Sequence, residues 1–83
     1  MDKILVEVYL PSAELTYDVY IPIESKISEI TQLISNAITD ISDNKYKKGV
    51  DITLCDFLTG KEYNQNTRVF ETNLENGSKL MLV

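Results

Sequence analysis

The chain has no histidine, no tryptophan and a single cysteine among its 83 residues. One cysteine excludes an internal disulfide and the four-thiolate cages of zinc and iron–sulfur sites, and histidine, the usual substitute ligand, is missing. Without an imidazole, serine and cysteine triads that use histidine as the base are excluded as well. We therefore expect no catalytic residue, no metal and no cofactor, in a protein that is not an enzyme.

Basic residues are also few. Eight lysines and arginines stand against 13 acidic residues, which gives a net charge of −5. Such a chain has no broad electrostatic attraction to a phosphate backbone, so we expect no nucleic-acid partner. No apolar run approaches the ~20 residues needed to span a bilayer, and the start lacks the pattern of a secretory signal. The sequence predicts no membrane insertion and a cytoplasmic location, which a lone thiol also suits.

Hydrophobic residues make up 43% of the chain and charged residues 25%, which is typical of a globular domain. Neither a repeat nor a linker interrupts the sequence. Residues 1–83 are therefore expected to form one small domain, since this length leaves little room for a second core.

Two segments near the start alternate between apolar and polar residues, which predicts strands. Residues 4–10 place Ile4, Val6, Val8 and Leu10 on one face, and residues 15–21 do the same with Leu15, Tyr17, Val19 and Ile21. The segment 11–14 between them is rich in turn formers, so we expect an antiparallel hairpin. Pro22 should end the second strand because it cannot donate a ladder hydrogen bond.

The period changes after Pro22. Apolar residues then recur at spacings of three and four, as in an amphipathic helix: Ile27, Ile30, Ile34, Ala37, Ile38 and Ile41. Ser25 is the expected N-cap, Glu29 suits the positive end of the helix dipole, and residues 40–44 should end the helix. Because isoleucine lowers helix propensity, this helix should depend on packing against a sheet.

The second half predicts three further strands, at residues 50–55, 61–64 and 79–83. Asp56 to Gly60 is expected to be a hairpin loop, in which Asp56 accepts backbone hydrogen bonds and Gly60 takes a positive φ. Tyr63 should point inward. Val69 and Leu74 are interpreted as apolar anchors of a loop or helical turn, and Asn76-Gly77 as a turn.

This order of elements predicts an α+β fold, a mixed sheet of four to five strands with one helix packed across it. The expected strand order is two-one-five-three, with the first and last strands parallel in the middle. Such an arrangement is the β-grasp.

Three segments resemble the YukD/EsaB family, the small ubiquitin-like proteins of Gram-positive type VII secretion systems. Residues 17–22 are similar to its Y-D-L-x-I-P strand end, residues 56–63 to its N-x-x-T-G-K-x-L hairpin, and residues 74–80 to its I-x-x-G-D-x-L ending, although Ser78 replaces the acidic residue. The last loop and strand also resemble those of ubiquitin. The resemblance implies a cytoplasmic accessory component that docks on a membrane-anchored secretion subunit through protein–protein contacts, as a monomer or weak homo-oligomer.

Ubiquitin and the sulfur carriers of this fold act through a flexible tail that ends in Gly-Gly. This sequence stops at Val83 without that pair, so we expect neither conjugation nor sulfur transfer. Two alternatives stay open at this point. One is a ubiquitin-like carrier that is adenylated at its C-terminus, and the other is a scaffold that self-assembles through strand edges or a surface patch.

The outward face of the sheet is the candidate interaction site. The predicted strand order makes neighbours of Leu5, Cys55, Met81 and Val83, with Phe57 and Leu58 at the adjacent hairpin tip. A contiguous apolar patch is more often an interaction site than scattered apolar residues are. Tyr9 and Tyr20 are expected to extend the surface.

Two other features have ordinary interpretations. Cys55 is expected to be a half-exposed filler residue, since no cation near it in sequence favours a thiolate. Lys45, Lys47 and Lys48 are interpreted as a solvated loop after the helix, with a docking patch for an acidic partner or anionic lipid as the alternative.

Overall fold

The computed structural model of the chain describes residues 2–41 and 52–83, with side chains for residues 2–37 and 52–83. The predicted lysine run at Lys45, Lys47 and Lys48 lies outside the described residues, and so does the predicted start of the third strand at residues 50 and 51. The predicted end of the helix beyond residue 41 is outside them too.

The first two strands form the expected antiparallel hairpin. β1 spans Lys3–Leu10 and β2 spans Leu15–Pro22, paired without interruption from Lys3↔Pro22 to Leu10↔Leu15. The alternation of β1 is confirmed, because Val6, Val8 and Leu10 are fully buried. In β2 only Ile21 is fully buried, while the other inward residues are half-buried against the core.

Helix α1 spans Ile27–Ile41 and buries the predicted stripe at Ile27, Ile30 and Ile34. The predicted N-cap is wrong by one residue, because Lys26, not Ser25, immediately precedes the helix. Lys26 has no short polar side chain for a cap. Instead Glu29 turns back and accepts a 2.9 Å hydrogen bond from the Lys26 backbone N–H, which satisfies one donor at the helix start.

The remaining strands complete a four-stranded sheet in the order β2-β1-β4-β3. β3 spans Leu54–Asp56, and β4 spans Lys79–Leu82. β4 runs parallel to β1 and antiparallel to β3, as the sequence predicts. Asp56 belongs to β3, so that strand extends one residue past its predicted end. It begins at Leu54, so the prediction of strand at residues 52 and 53 is wrong.

The predicted return strand at residues 61–64 is wrong. Its contact with β3 is a single bridge, Cys55↔Glu62, supported by hydrogen bonds from Asp56 N–H to Lys61 O and from Tyr63 N–H to Leu54 O. β3 itself is three residues long, so it offers little length for a ladder. Residues 61–63 therefore cover the outer edge of the sheet without forming a strand.

A long segment between residues 64 and 78 packs against the start of the helix, where Ile27 N–H donates to Thr67 O and Ser28 N–H to Gln65 O. Val69 is fully buried in a 3-10 turn at Val69–Glu71, and Leu74 packs against the core, so both predicted anchors are confirmed. Gly60 and Gly77 have φ of 74° and 89°, in keeping with the predicted turns. Tyr63 packs against the core as expected.

Candidate protein-interaction surface

The sheet has a helix on one face, and we call the opposite side the outer face. The register arranges its side chains in three rows. Leu5 faces Tyr20, Glu7 lies between Asp18 and Lys79, and Tyr9 lies between Thr16 and Met81. Cys55 continues the last row on the far side of Met81. The outer face is thus apolar at one end, charged across the middle and aromatic at the other.

Tyr9 and Phe57 meet on this face. Their ring centroids are 5.6 Å apart and the rings are nearly perpendicular, at 88°, which is the favoured edge-to-face geometry for aromatic pairs. Tyr9 belongs to β1 and Phe57 follows β3, so the contact joins the two strands that flank β4. Met81 stands on β4 directly beside Tyr9 in the pairing. We call Tyr9, Phe57 and Met81 the outer-face cluster.

Leu58 and Val83 flank the outer-face cluster and are open to solvent. Leu58 is 83% exposed, Val83 is 52% exposed, and Phe57 itself is 42% exposed. Burial of apolar surface is favourable roughly in proportion to its area, so two exposed apolar side chains beside one ring pair favour burial against a partner.

Leu5 does not join this cluster, contrary to the sequence-based expectation that Leu5, Met81 and Val83 are neighbours. Gly77 donates its backbone N–H to Leu5 O, whereas Met81 pairs with Tyr9. Four residues along a strand are about 13 Å, and the charged row at Glu7 lies between. The strand order was predicted correctly, but strand order alone does not determine the register between β4 and β1.

Cys55 shares the outer face but is only 4% exposed, so the expectation of a half-exposed side chain is wrong. Burial, and secondarily the carboxylate of Glu62, raises the pKa of its thiol. A raised pKa disfavours the thiolate, which is the reactive form. Cys55 thus pairs with Met81 of the cluster but offers almost no accessible surface, and its reactive form is disfavoured.

The loop that carries Phe57 and Leu58 is ordered by Asp56. Its Oδ2 accepts hydrogen bonds from the backbone N–H and the hydroxyl of Thr59, at 2.8 and 2.9 Å. Phe57 N–H also donates to Lys79 O, and Gly60 N–H to Asp56 O. The Thr59 backbone donor, followed by its hydroxyl, lowers the pKa of Asp56, so the loop is best held while that carboxylate is charged.

A shallow open depression of about 510 Å³ lies beside this loop. It is lined by polar residues together with Tyr63, whose pKa is raised chiefly by burial and then by the charge of Asp56. In the described part of the chain no three His, Cys, Asp or Glu residues gather as metal ligands. No described helix is long and apolar enough to cross a bilayer.

The sequence pattern placed Tyr9 on the outer face but gave no sign of its contact with Phe57. That contact joins residues that are far apart in sequence. It depends on a parallel register and on the conformation of a loop, and neither has a local sequence signal.

Neither a family of known proteins nor a curated protein matches the chain in sequence. Solved structures do match in shape. A chain of the toluene 4-monooxygenase HD complex aligns with a TM-score of 0.82 at 7% identity, over 99% of this chain and 98% of that one. The EccD5 ubiquitin-like domain from Mycobacterium xenopi aligns at 0.74 and 16% identity, over 100% and 94% of the two chains.

A chain of the MycP5-free ESX-5 inner membrane complex also aligns, with a TM-score of 0.74 at 11% identity. All of this chain is covered, but only 21% of that one. The TM-scores establish a shared fold, and at these low identities they establish the fold alone. The chain has the ubiquitin-like β-grasp fold, with a four-stranded mixed sheet and one helix, as the sequence predicts.

Proposed function

We propose that this chain is a non-enzymatic accessory protein of a bacterial type VII secretion system and that it recognises a protein subunit of the secretion machine. Two observations support the system. Residues 17–22, 56–63 and 74–80 resemble the YukD/EsaB family, and the fold is shared with a ubiquitin-like domain named EccD5 and with part of an ESX-5 inner membrane complex.

The proposal that the protein acts by binding a partner protein rests on the outer-face cluster. Aromatic residues and methionine are enriched where protein interfaces are buried, and aromatic residues are common energetic anchors. Here Tyr9 and Phe57 already hold each other in place, so little side-chain entropy is lost when a partner covers them. Leu58 and Val83 would enlarge the buried area, while the charged row at Glu7 would form part of the polar rim.

The Asp56 loop is part of this mechanism because it presents Phe57. Hydrogen bonds from Thr59 to Asp56 fix the loop before binding. The partner thus meets a preformed surface and not a flexible tip. In this account the protein contributes shape and apolar area, and it performs no bond-breaking step.

The test is a double substitution, Phe57→Asp with Met81→Asp, which places two carboxylates in the cluster. The matched control is Leu33→Asp with Phe70→Asp, since both are exposed apolar side chains that lie on α1 and on the 3-10 turn, outside the strands of the sheet. Both proteins are first checked for folding by circular dichroism. Secretion of type VII substrates and co-purification of the machine subunit are then measured in cells that carry each variant.

We expect the cluster variant to lose co-purification and to reduce secretion, while the control behaves like the unmodified protein. A tenfold loss of affinity needs only about 1.4 kcal/mol, which the truncation of one anchor residue commonly exceeds. Normal secretion and undiminished co-purification by a folded cluster variant would contradict the proposal.

A further inference from the structure

The two edges of the sheet are treated differently. The β3 edge is covered, because residues 61–63 exchange backbone hydrogen bonds with it. The β2 edge has no such cover from the described residues between Leu15 and Ile21. β2 is eight residues long and pairs with β1 without a bulge. Long, regular and uncovered edge strands are templates for another strand.

The register identifies which backbone groups of β2 are open. Glu7 donates its N–H to Ser78 O, and Leu5 O accepts from Gly77, so the backbone groups of both residues point toward β4. Leu5 and Glu7 therefore form the non-hydrogen-bonded pairs of the β1–β2 ladder, opposite Tyr20 and Asp18. By the same alternation, Thr16, Asp18 and Tyr20 direct their N–H and C=O groups away from the sheet.

The side chains along this edge differ between the two faces. Thr16, Asp18 and Tyr20 are exposed on the outer face, and Leu15, Tyr17 and Val19 lie half-buried on the inner face against the core. A strand added here would place alternate side chains beside apolar and polar neighbours. Its inward residues should therefore be apolar.

Charge specifies the outward residues of the added strand. Asp18 is the one charged residue of β2, and Glu7 is its neighbour across the pair. Neither carboxylate forms an ion pair with a described residue. A basic residue directly opposite Asp18 would be favourable, whereas an acidic one would be repelled.

A second copy of this chain fits the β2 edge poorly, because like charges on opposite residues repel each other. Two β2 strands related by a two-fold axis use all three open residues only if Thr16 pairs with Tyr20 and Asp18 pairs with itself. That register sets two carboxylates side by side. Shifted registers lose part of the hydrogen-bonding edge. Asp18 thus opposes self-pairing in the way that charged residues protect other sheet edges.

We infer that the open edge of β2 is a second binding site, which accepts an extended segment of a partner protein with alternating apolar and basic residues. The segment adds a fifth strand, hydrogen-bonds to Thr16, Asp18 and Tyr20, and sets a lysine or arginine beside Asp18. This site is separate from the outer-face cluster, which lies toward the β3 side of the sheet.

The probe is an octapeptide of alternating valine and lysine, titrated into the whole chain while backbone amide exchange is followed by NMR. We expect exchange at Thr16, Asp18 and Tyr20 to slow by about tenfold or more at saturation, because these amides gain partners. The Tyr17 and Val19 amides already face β1, so their exchange should change little.

Methylated probes provide the matched control. The added strand is expected to run antiparallel to β2, so that the residue opposite Asp18 forms a hydrogen-bonded pair with it. That residue is a lysine whose amide points at β2, so N-methylation of the lysine amides should abolish binding. N-methylation of the valine amides should leave it intact. Asp18→Lys should weaken binding by up to about fivefold at low salt, and an alternating valine–glutamate peptide should regain it.

Other results would overturn the inference. Equal binding of both methylated probes would show that charge attraction alone holds the peptide. Absence of binding by the unmodified octapeptide would show that the β2 edge is not a binding site. Loss of binding in the Phe57→Asp, Met81→Asp variant would place the peptide on the outer-face cluster. Slow exchange of the three amides in the protein alone, together with a dimer by sedimentation, would assign the edge to a second copy.

Discussion

Asp56 organises the loop that presents Phe57 and Leu58, and it does so through its charge. The Thr59 backbone N–H is the strongest cause of the lowered pKa of this carboxyl group, and the Thr59 hydroxyl is the next. A donor that favours the ionised form must itself be held more tightly by that form. The charge of this half-buried aspartate therefore helps to stabilise the loop.

We expect this to appear as a pH dependence of stability. Because the pKa of Asp56 is lower in the folded chain, its contribution is present above the unfolded pKa, near 4, and is lost as the pH falls through the folded pKa. Asp56→Asn should therefore lower the free energy of unfolding at pH 7, and the difference from the unmodified protein should shrink below about pH 4. Urea unfolding across this range measures it.

A second variant isolates the hydroxyl donor. Thr59→Val keeps the backbone donor but removes the side-chain one, so it should move the pKa of Asp56 part of the way back toward its ordinary value. An NMR titration of the Asp56 carboxyl group reads this directly. An Asp56 midpoint that is already ordinary in the unmodified protein would contradict the role given to the loop.

Cys55 offers a second prediction at the residue scale. Burial raises the pKa of its thiol, with Glu62 adding to the effect, so less thiolate is present at any given pH. We expect alkylation by iodoacetamide at pH 8 to be at least about tenfold slower in the native chain than in guanidinium, as followed by intact mass. Equal rates in the two conditions would show that the thiol is open to solvent.

At the scale of elements, the junction of β1 and β4 is completed by a side chain. Leu5 donates its N–H to Asn76 Oδ1 at 2.8 Å, just before β4 begins, while Gly77 N–H donates to Leu5 O. Asn76 thereby substitutes for a backbone carbonyl that the turn cannot supply. This bond helps set the β1–β4 register, and the register in turn places Met81 beside Tyr9.

We expect Asn76→Ala to destabilise the chain by about 0.5–1.5 kcal/mol, because the Leu5 N–H loses its protein acceptor. Asn76→Asp retains an oxygen acceptor and should cost less. The free energy of unfolding in urea compares the two. Similar losses for Ala and Asp would mean that the hydrogen bond contributes nothing specific.

The elements predicted best from sequence are those whose apolar pattern repeats over many residues. β1, β2 and the buried face of α1 follow directly from alternation and from the isoleucine stripe. The start of α1 was predicted one residue early. Ser25 was chosen because serine is a common N-cap, but the helix start is stabilised by the Glu29 side chain, which accepts a hydrogen bond from the Lys26 backbone N–H. The pattern at residues 61–64 is too short to distinguish a strand from an isolated β-bridge.

At the scale of the molecule, the sequence predicted the sheet order and the face that carries the candidate site, but not the site itself. Phe57, Leu58, Met81 and Val83 lie at one end of the outer face, as one group with Tyr9. Leu5 lies at the other end, and Cys55 lies beneath the surface. Both differences come from the β1–β4 register and from cover over β3, which are long-range properties.

The outer-face cluster is the surface that we propose contacts a protein subunit of a type VII secretion machine. Site-specific photo-cross-linking in cells tests it most directly, with a benzophenone side chain at Leu58 and, as the control, at Phe70, which is also exposed. We predict a cross-linked product from position 58 that mass spectrometry identifies as a machine subunit, and none from position 70. Equal cross-linking from both positions, or no such subunit from position 58, would show that the outer-face cluster does not make this contact.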